Sequence, residues 1–103
     1  MDISIIIPTY KRPKQLEDLL NSIKLQKTKI LYETIVVSNT YEKKVKSLCQ
    51  KYQKVMNISY HFAGKRGVNI ARNLGIRRAR GSTFLFIDDD CFLCTNSFLQ
   101  NVY

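Results

Sequence analysis

The sequence predicts an α/β protein: one parallel sheet with helices packed on its faces. Two observations carry that expectation. Apolar, β-branched runs alternate with helix-spaced segments in the order β-α-β-α-β-α-β. Three of the runs, "IIIP", "TIVV" and "FLFI", show no polar alternation, as expected of strands covered on both sides. The 103 residues make one small domain, 1–103, with room for a core but little margin.

The elements follow in chain order. "ISIIIPTY" holds a first strand, Ile3 to Ile7, which Pro8 ends; a proline there has no ladder bond to donate. In "RPKQLEDLLNSIKLQ", Leu16, Leu19, Leu20 and Ile23 fall at helical spacing, and Pro13 suits the first turn. "ETIVVSN" contains a second strand, about Thr34 to Val37. "YEKKVKSLCQKY" sets Val45, Leu48, Cys49 and Tyr52 on one helical face and lysines on the other. "NISYHF" is a third strand with a weaker pattern. "GVNIARNLGIRRAR" is a third helix, with Val68, Ala71, Leu74 and Gly75 inward and Gly81 expected at C′. "STFLFI" is a fourth strand, and "TNSFLQNVY" begins another helix capped by Thr95 or Asn96.

The net charge of +9 favours an anionic partner: nucleic acid, a nucleotide phosphate or an acidic membrane surface. Charge alone names none of these, and a basic surface also serves solubility. The three cysteines, Cys49, Cys91 and Cys94, are an odd number, which argues for a reducing compartment. "MDISIIIPTY" has only three successive isoleucines, too few for a signal segment or a membrane span. The expectation is a cytoplasmic protein whose basic surface suits a peripheral place at the inner membrane face.

Against this basic background, "FLFIDDDC" crowds three carboxylates at a strand end. In open α/β sheets, ligands bind beyond the carboxyl ends of the strands, where the strand order reverses. Two like charges about 5 Å apart repel by ~3 kcal/mol at an effective dielectric near 20, and by under ~1 kcal/mol in water. In solvent the cluster costs little; in a cleft it calls for a cation. Strand alternation sets Asp88 and Asp90 to one side and Asp89 to the other. An Asp-x-Asp pair of this kind suits Mg²⁺ or Mn²⁺, with phosphate and water completing the shell. A solvated acidic turn capping the next helix explains the residues as well, and the residues alone leave both readings open.

Several segments together resemble the N-terminal half of the family 2 glycosyltransferases. They are "ISIIIPTYKRPKQLEDLLNSI", "ETIVVSN" and "GVNIARNLGIRRARGSTFLFIDDDC", and they cover nearly the whole chain. The resemblance implies a truncated GT-A fold: a Rossmann-like, three-layer α/β/α domain with a four-stranded, mainly parallel sheet in the order 3-2-1-4. "PTYKR" and "DDD" would then meet in one crevice. It implies an enzyme of the hexosyltransferase type that binds a nucleoside-diphosphate sugar, a UDP-sugar first, through Mn²⁺ or Mg²⁺. The sugar would pass with inversion to a hydroxyl acceptor, glycan or lipid-linked. By the same resemblance Pro8, Thr9, Tyr10, Arg12, Ser38, Arg66, Arg72, Asp88 and Asp89 bind the nucleotide. Asp88 and Asp90 hold the metal, with Asp90 the principal ligand, and Asn73 orients a loop. Nucleic acid is not among the partners so implied.

Two departures stand out. The family's second strand commonly ends in an aspartate that reads the base, as in "VVDNGS"; here "VVSN" offers Ser38, a weaker acceptor. The sequence also ends at Tyr103, and the expectation is that the acceptor half the resemblance implies, with the general base that contributes ~10²–10⁴-fold, has no counterpart in it. The expectation is a domain inactive alone and completed by a C-terminal half or a partner chain. "FLFI" would be an outer strand, and an apolar one prone to pairing. The reading from a different class is a non-catalytic basic module that binds nucleic acid or anionic lipid. Cys91 and Cys94 form a single C-x-x-C, which lacks the second ligand pair of a zinc site. His61 is expected on the surface or in a loop.

Overall fold

The computed structural model describes residues 1–67, 69–91, 93 and 97–102. The strands are β1 (Ile3–Pro8), β2 (Tyr32–Ser38), β3 (Ile58–Phe62) and β4 (Thr83–Phe86). The helices are α1 (Pro13–Lys24), α2 (Lys43–Tyr52), α3 (Ile70–Arg78) and α4 (Phe98–Val102). The four strands form one parallel sheet in the order β3-β2-β1-β4, as expected. The order reverses beside β1: the chain runs outward to β2 and β3, then crosses back to pair β4 on the other side.

Strand alternation divides the core into two layers. Ile3, Ile5 and Ile7 of β1 and Val36 of β2 pack with Leu16, Leu19, Leu20 and Ile23 of α1 and Val45, Cys49 and Tyr52 of α2. Ile6, Ile35 and Val37 face the opposite side, against Ala71 and Leu74 of α3. Each fully buried leucine or isoleucine stabilises this arrangement by about 1.5–3 kcal/mol relative to exposure. Among the described residues, no helix is long and apolar enough to cross a membrane.

Two glycines set how closely the elements approach. A Cβ on Gly75 would lie 2.5 Å from Ile6 Cγ2, so α3 rests directly on β1. Gly81 does not serve as the expected C′ residue, since α3 ends at Arg78 with Ala79 extended at its C-cap. Its missing side chain instead lets the α3–β4 loop lie against β1. A Cβ there would come within 2.6 Å of the Ser4 backbone nitrogen. The Gly81 N–H donates to Ser4 Oγ at 2.8 Å.

The loop is fastened below the sheet by a buried carboxylate. Glu33 Oε2 accepts from Ser4 Oγ at 2.6 Å and from the Arg80 N–H at 2.7 Å. Ser4 and Glu33 are direct partners in the β1–β2 register, which places two polar side chains together inside an apolar sheet.

The outer strand departs from full coverage. Phe84 and Phe86 lie on the α3 side of the sheet, in register with Ser4 and Ile6, and stay 43% and 42% exposed. The helix above them packs on β1, β2 and β3, so β4 is covered on that side only in part. His61 lies within β3, half-buried, rather than in a loop. Val68, Thr95 and Asn96, expected to pack inward or cap a helix, lie outside the described residues.

Candidate functional site: a cavity at the strand switch

At the carboxyl edge of the sheet, β1 and β4 end side by side and their following loops face each other. The Thr9 N–H continues the ladder to Val37 O at 2.9 Å, and the Ile87 N–H reaches Ile6 O at 3.1 Å. Lys11 then adopts φ +53°, a left-handed conformation uncommon outside glycine. Its N–H donates to Glu42 Oε1 at 2.9 Å, which anchors the turn to the start of α2. Arg12 and Pro13 open α1 from that fixed point.

The facing loop is a turn closed by the Cys91 N–H on Asp88 O at 3.1 Å. It separates the three aspartates as alternation predicts. Asp89 is buried, while Asp88 and Asp90 are exposed. Asp89 Oδ2 accepts from Thr9 Oγ1 at 3.0 Å and from the Tyr10 N–H at 3.3 Å, so this carboxylate ties the two loops together. Arg12 Nη1 lies 3.5 Å from Asp89 Oδ1 and 3.2 Å from Asp90 Oδ2.

Between the loops lies a cavity of about 340 Å³, lined by Pro8, Thr9, Tyr10 and Arg12 on one side and Asp88, Asp89 and Asp90 on the other. Asn39, just beyond β2, and Ala71 of α3 complete it. An adjoining cavity of about 410 Å³ shares Tyr10 and Asn39 and adds Lys11, Thr40, Arg66 and Gly67. Tyr10, 56% exposed, lines both, with Lys11 Nζ 5.2 Å from its ring centroid.

Of the residues singled out in the sequence, Pro8, Thr9, Tyr10, Arg12, Asp88, Asp89 and Asp90 therefore share one cavity, and Arg66 lines its neighbour. Ser38 and Arg72 line neither. The Ser38 hydroxyl is fully buried and engages Thr40 O at 2.6 Å and Tyr60 Oη at 2.7 Å. Arg72 is exposed on α3. The cavity-facing position at the end of β2 belongs to Asn39, which sequence reasoning passed over. Its Nδ2 donates to Gly67 O at 3.2 Å, while its buried Oδ1 has no partner among the described residues. The available signal was its place: the first residue past a strand, at the ligand-binding edge of the sheet.

Metal fit can be judged from the donor set. One ligand atom from each of Asp88, Asp90 and Cys91 lies within 4.8 Å of the others, all exposed. Two carboxylate oxygens at a cavity rim are the oxygen-rich, partly open set that Mg²⁺ and Mn²⁺ accept. Of the other cysteines, Cys94 lies outside the described residues. Cys49 is buried on the inner face of α2, where burial pushes its thiol up to about 12.

A parallel sheet in this order, with its cavity at the switch between β1 and β4, has the GT-A fold. Residues 4–103 match the family model Glycosyl transferase family 2, and the chain belongs to that family. It is 30% identical over 96 residues to the poly(ribitol-phosphate) beta-N-acetylglucosaminyltransferase TarS of Staphylococcus aureus, a match covering 90% of this chain and 17% of that protein. The crystal structure of S. aureus TarS 1-349 in complex with UDP-GlcNAc superposes with a TM-score of 0.87 at 28% identity, covering 99% of this chain and 30% of that one. A mannosyltransferase from Pyrobaculum calidifontis, in complex with GDP-Man and Mn²⁺, superposes with a TM-score of 0.84. It is 22% identical, over 96% of this chain and 30% of its own, and that likeness is one of fold.

Proposed function

We propose that this chain is the donor-binding part of a metal-dependent glycosyltransferase that takes a UDP-sugar and serves inverting transfer to a hydroxyl acceptor, glycan or lipid-linked. One observation carries the proposal: the exposed pair Asp88 and Asp90 shares a cavity with the cationic loop Tyr10–Arg12 at the sheet's switch point. The resemblance to a UDP-GlcNAc-binding relative supports the choice of donor.

The chain's own residues divide the work. Tyr10 offers an exposed ring on which a base can stack. Asn39 lines both cavities beside Tyr10, where its side-chain amide would neighbour a base stacked on that ring. Arg12, Lys11 and Arg66 surround the cavities with positive charge, which draws in a diphosphate. Asp88 and Asp90 would hold Mn²⁺ or Mg²⁺, which supplies charge stabilisation to the departing diphosphate when bound. Asp89 contributes by holding the Thr9–Tyr10 turn in place. These residues account for the donor side of the reaction; acceptor deprotonation is assigned to none of them.

Calorimetric titration with UDP, GDP and a single-stranded oligonucleotide, each with and without Mn²⁺, tests the proposal. UDP binding that requires the metal and exceeds GDP binding is the expected result. Metal-independent oligonucleotide binding with a steep salt dependence would replace it with the basic-module reading.

A further inference from the structure

We infer that Arg12 is a tethered substitute for the metal: its guanidinium neutralises Asp90 in the ligand-free protein and moves to the donor diphosphate when the divalent ion takes its place. This rests on the proposed metal site at Asp88 and Asp90. Arg12 Nη1 lies 3.2 Å from Asp90 Oδ2, and Asp90 is one of the three residues whose ligand atoms converge. The two carboxylates that Arg12 meets are not equivalent. Asp89 is buried and committed through Oδ2 to the Thr9 hydroxyl and the Tyr10 N–H. Asp90 is exposed, with Oδ2 facing Arg12 and Oδ1 4.0 Å from Cys91 Sγ.

A dication seated on Asp90 would stand within a few ångströms of the guanidinium. Like charges that close repel strongly, so metal and Arg12 compete for one carboxylate. The geometry makes the exchange easy. The Arg12 backbone is fixed, because its carbonyl accepts the Leu16 N–H at 2.9 Å as the first bond of α1. Its side chain is half exposed, and its long stem lets the guanidinium leave the two carboxylates without moving the backbone. Once a diphosphate occupies the cavity, the planar guanidinium fork has a better partner in two phosphate oxygens than in one exposed carboxylate. Nucleotide then vacates Asp90 for the metal, and metal releases Arg12 for the nucleotide. Arg12 thereby couples the two binding events, and the coupling is reciprocal.

The competition predicts opposite effects of one substitution. Arg12→Met keeps the aliphatic stem and removes the charge at an exposed position. Mn²⁺ titrated alone, followed by its electron paramagnetic resonance signal, should bind Arg12→Met about 3- to 10-fold tighter than wild type, the range expected when an exposed ion pair and a nearby repulsion are removed. UDP titrated in saturating Mn²⁺ should bind the same variant about 10-fold weaker, as loss of one charged phosphate contact implies. Arg12→Gln, tested beside it, should shift both affinities in the same directions. If wild type binds Mn²⁺ and both variants bind it no tighter, the substitute role is wrong while the metal site stands. If wild type and Asp90→Asn bind Mn²⁺ equally poorly, the metal site itself is wrong and the role of Arg12 falls with it.

Discussion

Thr9 Oγ1 donates to Asp89 Oδ2 across 3.0 Å, joining the tip of β1 to the loop after β4 over 80 residues of sequence. Through this bond and its neighbour from the Tyr10 N–H, a carboxylate that faces inward shapes a cavity whose other two carboxylates face outward. Removing it should separate structural from metal-binding roles. Asp89→Ala leaves a buried hydroxyl and a backbone N–H without their acceptor. It should lower stability by about 1–3 kcal/mol, measured as a fall in the urea midpoint. UDP affinity should fall with it, because the Tyr10 turn loosens, while Mn²⁺ affinity in the absence of nucleotide should fall less than in Asp90→Ala, which removes a proposed ligand.

The buried Glu33 makes a second, independent prediction far from the cavity. Glu33→Ala strands the Ser4 hydroxyl and the Arg80 N–H, both within 2.7 Å of the carboxylate it removes. A loss of about 2–3 kcal/mol is expected in denaturant unfolding, since hydrogen bonds to a charged group are among the stronger ones. An unchanged midpoint would mean that water satisfies both groups.

Backbone approach at Gly81 predicts a comparable cost with a different cause. The Cβ of Gly81→Ala would press on the β1 backbone at Ser4, which cannot rotate aside as a side chain can. Overpacking of this kind costs about 1–3 kcal/mol. Gly75→Ala meets a short contact too, 2.5 Å to Cγ2 of the stiff, fully buried Ile6, and should cost less only through the about 0.8–1 kcal/mol of helix propensity that alanine regains. Thermal midpoints ordered wild type, Gly75→Ala, Gly81→Ala, from high to low, would bear this out.

His61 gives the fold a pH dependence of known sign. Burial in β3 lowers its pKa below the usual histidine value, and the Arg78 charge adds to that effect. The folded state therefore holds fewer protons at this site than the unfolded chain does. Its contribution to stability is complete above the unfolded value, about pH 6.5, and is lost as pH falls toward the lower folded value. His61→Gln should flatten the urea midpoint between about pH 7 and pH 5 relative to wild type.

Much of this was legible in the residues. The β-α alternation and the apolar runs fixed the element order, and the helical spacing picked out Leu16, Leu19, Leu20 and Ile23, all fully buried. The alternation of Asp88, Asp89 and Asp90 across the strand axis also held past the end of β4. What stayed hidden depended on contacts distant in sequence. Ser38 drew attention as the changed residue at the end of β2, but whether it faced a ligand depended on Tyr60, two strand positions into β3. That hydroxyl captures Ser38 and leaves Asn39 at the cavity. Glu33 reads as an ordinary charged residue at a strand's start until the register pairs it with Ser4. Gly81 fits a helix terminator by position, while its actual role is set by β1. The exposure of Phe84 and Phe86 reflects where α3 lies rather than anything in "FLFI".

The most direct test of the central claim is UDP affinity measured by calorimetry with and without Mn²⁺, in wild type and Asp90→Ala. Metal-dependent UDP binding in the wild type, and its loss in the variant to the level seen without Mn²⁺, is the expected outcome. Equal, metal-enhanced affinity in both proteins would contradict a metal held at Asp90 and leave the acidic turn without a role in donor binding.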